Sequence, residues 1–339
     1  MAEQDRYNAH FTIQRDSPLS VATSVATTVG IFKSTILPSF GFHTGLSLVA
    51  YGVSRYADRA DGKDWLWPAS PVANAWWSAL GTRVVYDGLS LPAAWAQLTY
   101  SEKLLLAGVT TWGLRLFYRI ASRSLRRGAD DPRYAADKRD PAFWSRAFLA
   151  QFLPEAAVQT LITLPFTLPF RAGLARAPLP TYAKLAHAAA VFLFSSGYAL
   201  EVLADAQLET HKRRTGDMVL NRDGVWSIVR HPNYLGDALV HLSFPVLLWS
   251  AGLLHPLALL GPLANYGFLR VLGGDRDTER FQEETYKADP IKHEQFSQYR
   301  REKNSFWPSV TELVNRWTWA VVAIGAGGVV LERGMRRLL

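Results

Sequence analysis

The sequence predicts an all-α polytopic integral membrane bundle of about seven to nine transmembrane helices. Three observations carry that reading: charge-free apolar runs, the placement of tryptophan, and the clustering of lysine and arginine. The mean hydropathy of −0.01 conceals the runs, because polar and apolar residues are segregated into blocks. Ser34–Ser54 and Ala238–Leu269 contain no Asp, Glu, Lys or Arg, and the second is long enough for two helices in a hairpin. Shorter runs follow at Trp65–Thr82, Leu104–Tyr118, Phe143–Phe170, Tyr182–Leu203 and Trp317–Leu331. Several are interrupted by Pro or Gly, which bilayer helices tolerate better than soluble ones.

Many of the 12 tryptophans stand at the edges of these runs, as Trp65, Trp67, Trp76, Trp77, Trp249 and Trp317 do, where indole rings favour the headgroup region. A soluble helical protein with very apolar core helices would have no use for that placement. Residues 1–20 form a polar tail without the basic start, apolar middle and small-residue cleavage site of a secretory signal. Residues 21–335 read as a single membrane domain.

Cations give the orientation, since Lys and Arg collect in cytosolic loops. One cluster is Arg115, Arg119, Arg123, Arg126, Arg127, Arg133, Lys138 and Arg139; a second is Lys212, Arg213, Arg214, Arg222 and Arg230. Two apolar segments separate them, so parity places both on one side. The hairpin returns Arg270–Lys303 to that side as well. A last span at Trp317–Leu331 would carry Arg333, Arg336 and Arg337 to the opposite face, and the sequence leaves open whether this segment crosses the bilayer or lies at its surface.

Composition excludes several classes. With 49% hydrophobic and 19% charged residues the chain is too apolar for a disordered protein. The absence of cysteine removes disulfide scaffolds, zinc fingers, iron–sulfur clusters and thiol nucleophiles. The net charge of +8 sits beside the spans, which suits topology and lipid contact and argues against nucleic acid. Gly325, Gly327 and Gly328 have no preceding strand and suit close helix packing, not a dinucleotide-binding turn. His231 and His241 with Asp237 offer three ligands at most, without a second cluster, so no metal is assigned.

The densest polar pattern runs from Glu201 to His241. Glu201 and Asp205, four residues apart, share one helix face at the cytosolic end of a span and can hold ribose hydroxyls. Lys212, Arg213, Arg214 and Arg230 are available to a phosphate. Pro232 fits a first helical turn whose free N–H groups, with Arg230 and His231, make an anion site suited to a pyrophosphate. The alternative is a set of solvated loop charges at a helix start. In the N-terminal half, Gln151, Glu155 and Gln159 at spacing four form a polar stripe on an apolar helix. Glu155 is there either a proton donor, kept protonated by desolvation, or a cap following Pro154.

The run Arg230-His231-Pro232-Asn233-Tyr234-Leu235-Gly236, preceded by Gly224-Val-Trp226 and by Ala204-Asp205-Ala-Gln207-Leu-Glu-Thr-His-Lys212, resembles the steroid 5-alpha-reductase C-terminal family. Trp112-Gly-Leu-Arg115-Leu116 with Arg133-Tyr134, and Tyr299-Arg-Arg-Glu-Lys-Asn-Ser-Phe306-Trp-Pro308, are similar to its upstream and closing segments. The resemblance spans residues 60–310. It implies a membrane reductase of the endoplasmic reticulum that binds NADPH from the cytosol and reduces an activated carbon–carbon double bond in a sterol or other lipid. Glu201, Asp205, Lys212, Asn233 and Asp237 occupy positions similar to the family's cofactor contacts, and Tyr234 belongs to the same motif. Asp237 stands where the family commonly has Glu, and the stretch from Glu283 to Gln298 is expanded, leaving Tyr286 and Tyr299 as candidate contacts there. Two other functions fit these residues. One is a membrane S-adenosylmethionine-dependent methyltransferase of the isoprenylcysteine or phospholipid type, whose methyl-donor site has a similar Arg-His-Pro-x-Tyr-x-Gly turn. The other is a non-catalytic membrane scaffold.

Overall fold

A computed structural model describes residues 28–173, 177–216, 219–272 and 274–338, so the N-terminal tail lies outside the described residues. Every regular element among the described residues is helical. The stretch read as one domain divides into two compact units, Met1–Pro178 with Gly252–Gly261 and Leu179–Ala251 with Pro262–Leu339.

The first unit opens with α1, Val29–Tyr56, which contains a π turn at Phe32–Ile36 ahead of Pro38. Thr35, Ser39, His43 and Ser47 are buried along it at spacing four, while Leu48, Val49 and Val53 are exposed. Polar residues inward and apolar residues outward is the pattern of a helix whose surroundings are hydrocarbon. A 3₁₀ turn, Ala60–Trp65, leads to α2, Leu66–Trp76, which continues through a π turn at Trp77–Gly81. The long α3, Tyr100–Arg127, begins at a Thr99/Glu102 capping box and ends at Gly128, whose φ of +66° suits a left-handed cap. Helix α4, Phe143–Ile162, bends by 61° into α5, Leu164–Arg171. Pro165 accounts for the break, since it offers no N–H and its ring clashes with the preceding turn.

The second unit is built on α6, Ala183–Thr215, and α7, Pro232–Ser250. The chain then returns through α8, Leu260–Gly267, to the polar helices α9, Asp275–Tyr286, and α10, Pro290–Glu302. The chain doubles back here, since Asn265 on the returning arm donates to Asp237 at 3.0 Å, but neither arm of the expected hairpin is among the helices long and apolar enough to cross a membrane. Helix α11, Arg316–Leu338, runs antiparallel to α6, with Gly325 against Ser196, Gly328 against Ser195 and Glu332 bonded to His187 at 2.9 Å. Arg333, Arg336 and Arg337 therefore lie toward the Ala183 end of α6, away from Lys212–Arg214.

Two helices, Val29–Tyr56 and Ala183–Thr215, are long and apolar enough to cross a membrane, and the bent pair α4–α5 makes a third if it is one span. This is fewer than the runs suggested. Pro and π-turn breaks divide several runs into shorter helices. Others, such as the stretch within α3, belong to helices whose ends are strongly charged.

Candidate functional site

In the second unit the polar motif is assembled at the crossing of α6 and α7. A Cβ on Gly197 would lie 2.5 Å from the carbonyl oxygen of Gly236, and one on Gly236 would lie 2.5 Å from that of Gly197 and 2.9 Å from Cγ of Glu201. Only paired glycines let the backbones approach so closely. The crossing sets Glu201 against Gly236, the residue before Asp237, and both acids are buried. Asp205 follows one turn along α6, half-buried, and Lys212 is exposed near the end of that helix. Asn233 and Asp237 are a turn apart on one face of α7, and the Oδ1 of Asn233 is buried without a hydrogen-bond partner.

The turn between the helices is held from several sides. Gly224, at φ +70°, packs so closely on Gln207 that a Cβ would meet its Oε1 at 2.0 Å, and that oxygen accepts from the Val225 N–H at 2.8 Å. Trp226 donates to the Ala204 carbonyl at 3.1 Å. Tyr299 is buried and donates to the carbonyls of Trp226 and Val229, so it braces this turn. Tyr286 packs on Phe296.

Arg230 and His231 require a correction. Their backbone N–H groups donate to the carbonyls of Asn304 and Ser305 at 3.0 and 2.9 Å. The Arg230 guanidinium grips the Glu279 carboxylate with Nε and Nη2, each at 2.9 Å, and its Nη1 donates to the carbonyls of Arg300 and Lys303. His231 Nε2 donates to Glu279 at 3.0 Å. In the structure the anion beside the Arg230 and His231 side chains is the protein's own Glu279. Tyr234 stacks on His231 at 5.3 Å and its hydroxyl reaches Thr278 at 3.2 Å. Neither Glu279 nor Asn265 was singled out in the sequence; both lie far along the chain in segments whose composition alone carries no motif.

Glu155 belongs to the first unit. Its carboxylate accepts from Lys63 Nζ at 3.1 Å and from Gln159 Nε2 at 3.2 Å, side-chain bonds instead of a cap on its own helix start. The bonds continue inward: Ser70 bonds Gln159 and His43 at 3.1 Å, and Asn74 donates to His43 at 3.1 Å. Outward, Lys63 lies over the Tyr134 ring at 5.4 Å, and the Tyr134 hydroxyl donates to Asp64 at 2.7 Å. Burial pulls the Lys63 ammonium down, but the neighbouring Glu155 and Asp64 outweigh it and hold the group above its ordinary range. The expected Gln151–Glu155–Gln159 stripe is incomplete, because a π turn at Phe148–Phe152 rotates Gln151 outward to Asp137 at 3.3 Å.

A family model described as protein of unknown function (DUF1295) matches residues 50–303, three quarters of the chain. The chain belongs to the DUF1295 family. No curated protein and no solved structure matches it. The matched span contains Lys63, Glu155, Glu201, Asp237, Asn265 and Glu279, and it ends before α11.

The Arg230–His231–Glu279 cluster makes stability depend on pH in a direction that can be worked out. Burial pushes Glu279 up, but its bonds to His231 and Arg230 carry it below the usual carboxylate range. Burial lowers His231 below its ordinary value, and Glu279 restores only part of the loss. A group depressed on folding contributes stability above its unfolded pKa and loses it as pH falls through the folded value. Thermal stability in detergent is therefore expected to hold above about pH 6.5, to fall as unfolded histidine takes up protons, and to fall further below about pH 4.3. His231→Asn should reduce the slope of the upper window, and an unchanged slope would remove His231 from this account.

Proposed function

We propose that this chain is a multi-pass membrane reductase of about seven to nine spans, resident in the endoplasmic reticulum, which uses NADPH to reduce an activated carbon–carbon double bond in a sterol or other lipid. The observation that supports it best is the buried, acceptor-rich group at the α6–α7 crossing. Asp237 and Asn265 are buried and bonded, Glu201 is buried against Gly236, and the Asn233 oxygen a turn from Asp237 is buried without a partner, and such acceptors call for a ligand rich in O–H and N–H donors. NADPH brings ribose hydroxyls and a carboxamide, so the residues present fit it. The likeness of the Glu201–Asp237 region to the steroid 5-alpha-reductase motif points the same way.

When bound, NADPH would supply a hydride. In this reading Glu201 and Asp205 accept from ribose hydroxyls, Asn233 and Asp237 fix the sugar or the ring, and Lys212, Arg213 and Arg214 meet the additional phosphate. Arg230 and His231 act one step away, holding the start of α7 through Glu279. Glu155 delivers the proton that completes reduction, and Lys63, bonded to it at 3.1 Å, returns one to it. The carboxyl–ammonium pair keeps a proton available at the edge of the Gln159–Ser70–His43 network.

Titration of the purified protein in detergent with NADPH, NADH and S-adenosylmethionine tests this, read by thermal stability and nicotinamide fluorescence. NADPH should stabilise saturably. Asn233→Ala should weaken its binding about ten-fold, and Glu155→Gln should leave binding intact while turnover of an enone lipid falls. Stabilisation by S-adenosylmethionine alone would favour a methyltransferase and end the reductase reading.

A further inference from the structure

Asn265 is fully buried on the returning arm α8, and its Nδ2 donates to Oδ2 of Asp237 at 3.0 Å. A carboxylate accepts and does not donate, so this bond fixes which way round the amide sits: nitrogen to Asp237, oxygen away from it. That oxygen, Oδ1, is buried and has no hydrogen-bond partner in the protein. A buried carbonyl without a donor is costly, whereas an apolar side chain at the same place would carry no such penalty. The position is therefore built to receive a donor from outside the chain.

The surroundings restrict what that donor can be. The other carboxylate oxygen of Asp237 faces His241 Nε2 at 3.8 Å, beyond hydrogen-bond reach. Asn233, a turn earlier on the same face of α7, carries a second buried oxygen without a donor. One unmatched amide oxygen belongs to the residue bonded to this carboxylate and the other to a residue one turn away on its helix, acceptors that favour a neutral group with N–H or O–H donors and disfavour phosphate. Asn265 is the most deeply buried of the three, which suits the redox end of a dinucleotide, where water has to be kept out.

We infer that Asn265 is a binding residue whose Oδ1 accepts a hydrogen bond from the carboxamide N–H of the nicotinamide, with Asp237 holding the amide in that orientation. The inference rests on the reductase reading above and goes further, because it names the atom of this chain that recognises the ring substituent.

The experiment compares NADPH with its 3-acetylpyridine analogue, which keeps the ribose, phosphates and ring but has a methyl ketone in place of the amide and so lacks the N–H. Binding to the full-length protein in detergent is read by nicotinamide fluorescence and by thermal stabilisation. The wild-type protein should bind the analogue about ten-fold more weakly than NADPH, and Asn265→Ala should bind both with the same, weaker affinity. If the alanine variant does not fold, Asn265→Ser, which retains a hydroxyl near Asp237, serves in its place. A variant that still discriminates between the two nucleotides, or one that weakens both by the same factor, overturns the inference, since Asn265 would then face water or a ribose hydroxyl. Absence of any NADPH binding to the wild-type protein would instead bring down the reductase reading itself.

Discussion

Glu279→Ala is expected to cost about 3–5 kcal/mol, the largest single loss in the second unit, because it leaves Arg230 and His231 buried without their common partner. The carboxylate accepts three bonds from them, and Arg230 is only 10% exposed at its side chain. Removing the anion strands a guanidinium that water reaches poorly. Arg230 also ties α7 to the end of α10 through the Arg300 and Lys303 carbonyls, so its release should loosen the start of α7, where Asn233 and Asp237 sit. The measurement is a thermal melt in detergent, with Arg230→Ala and the double variant beside it. If the three groups act as one network, the double variant should be far less damaging than the sum of the singles. Strict additivity would mean that the geometry around Glu279 is incidental to stability.

Gly236→Ala should also be harmful, through packing alone. Its new methyl group would meet backbone atoms, the Gly197 carbonyl at 2.5 Å and the Glu201 N at 3.0 Å, and backbone in the middle of two long helices cannot step aside cheaply. Forcing the helices apart is expected to cost about 1–3 kcal/mol and to displace Glu201, whose Cγ and N pack on Gly236, so the melting temperature should fall. Gly267→Ala is the control. Nothing lies within 4 Å of a Cβ there, and the substitution should be neutral or slightly stabilising. Equal behaviour of the two alanine variants would show that the crossing is looser than its glycines suggest.

Helical class and one of the two charge-free runs were legible because hydrophobicity is a local property of the chain; the other run, Ala238–Leu269, is not among the helices long and apolar enough to cross a membrane. A charge-free stretch such as Ser34–Ser54 states its own environment, and α1 occupies it. The Glu201/Asp205 pair was legible for the same reason, since helical spacing places residues four apart on one face whatever surrounds them. The helix start at Pro232 was legible too, as a local property of proline. The pyrophosphate expected beside it was not a safe consequence. Arg230 and His231 are a cation and a donor at a helix start in any structure, but whether they meet a ligand or a carboxylate of the same chain depends on Glu279, some fifty residues later.

The sequence by itself determined the local features: helical elements, the apolar run that becomes α1, the shared face of Glu201 and Asp205, and the helix start at Pro232. The tertiary structure alone decided which partners those groups have. It gave Arg230 to Glu279, Glu155 to Lys63 and Asp237 to Asn265, and it left the oxygen of Asn265 without a donor. The reason is physical. Hydropathy and helical period act over a few neighbouring residues and survive any arrangement of the chain, whereas a buried ion pair or hydrogen bond exists only once distant segments have closed to about 3 Å and excluded water.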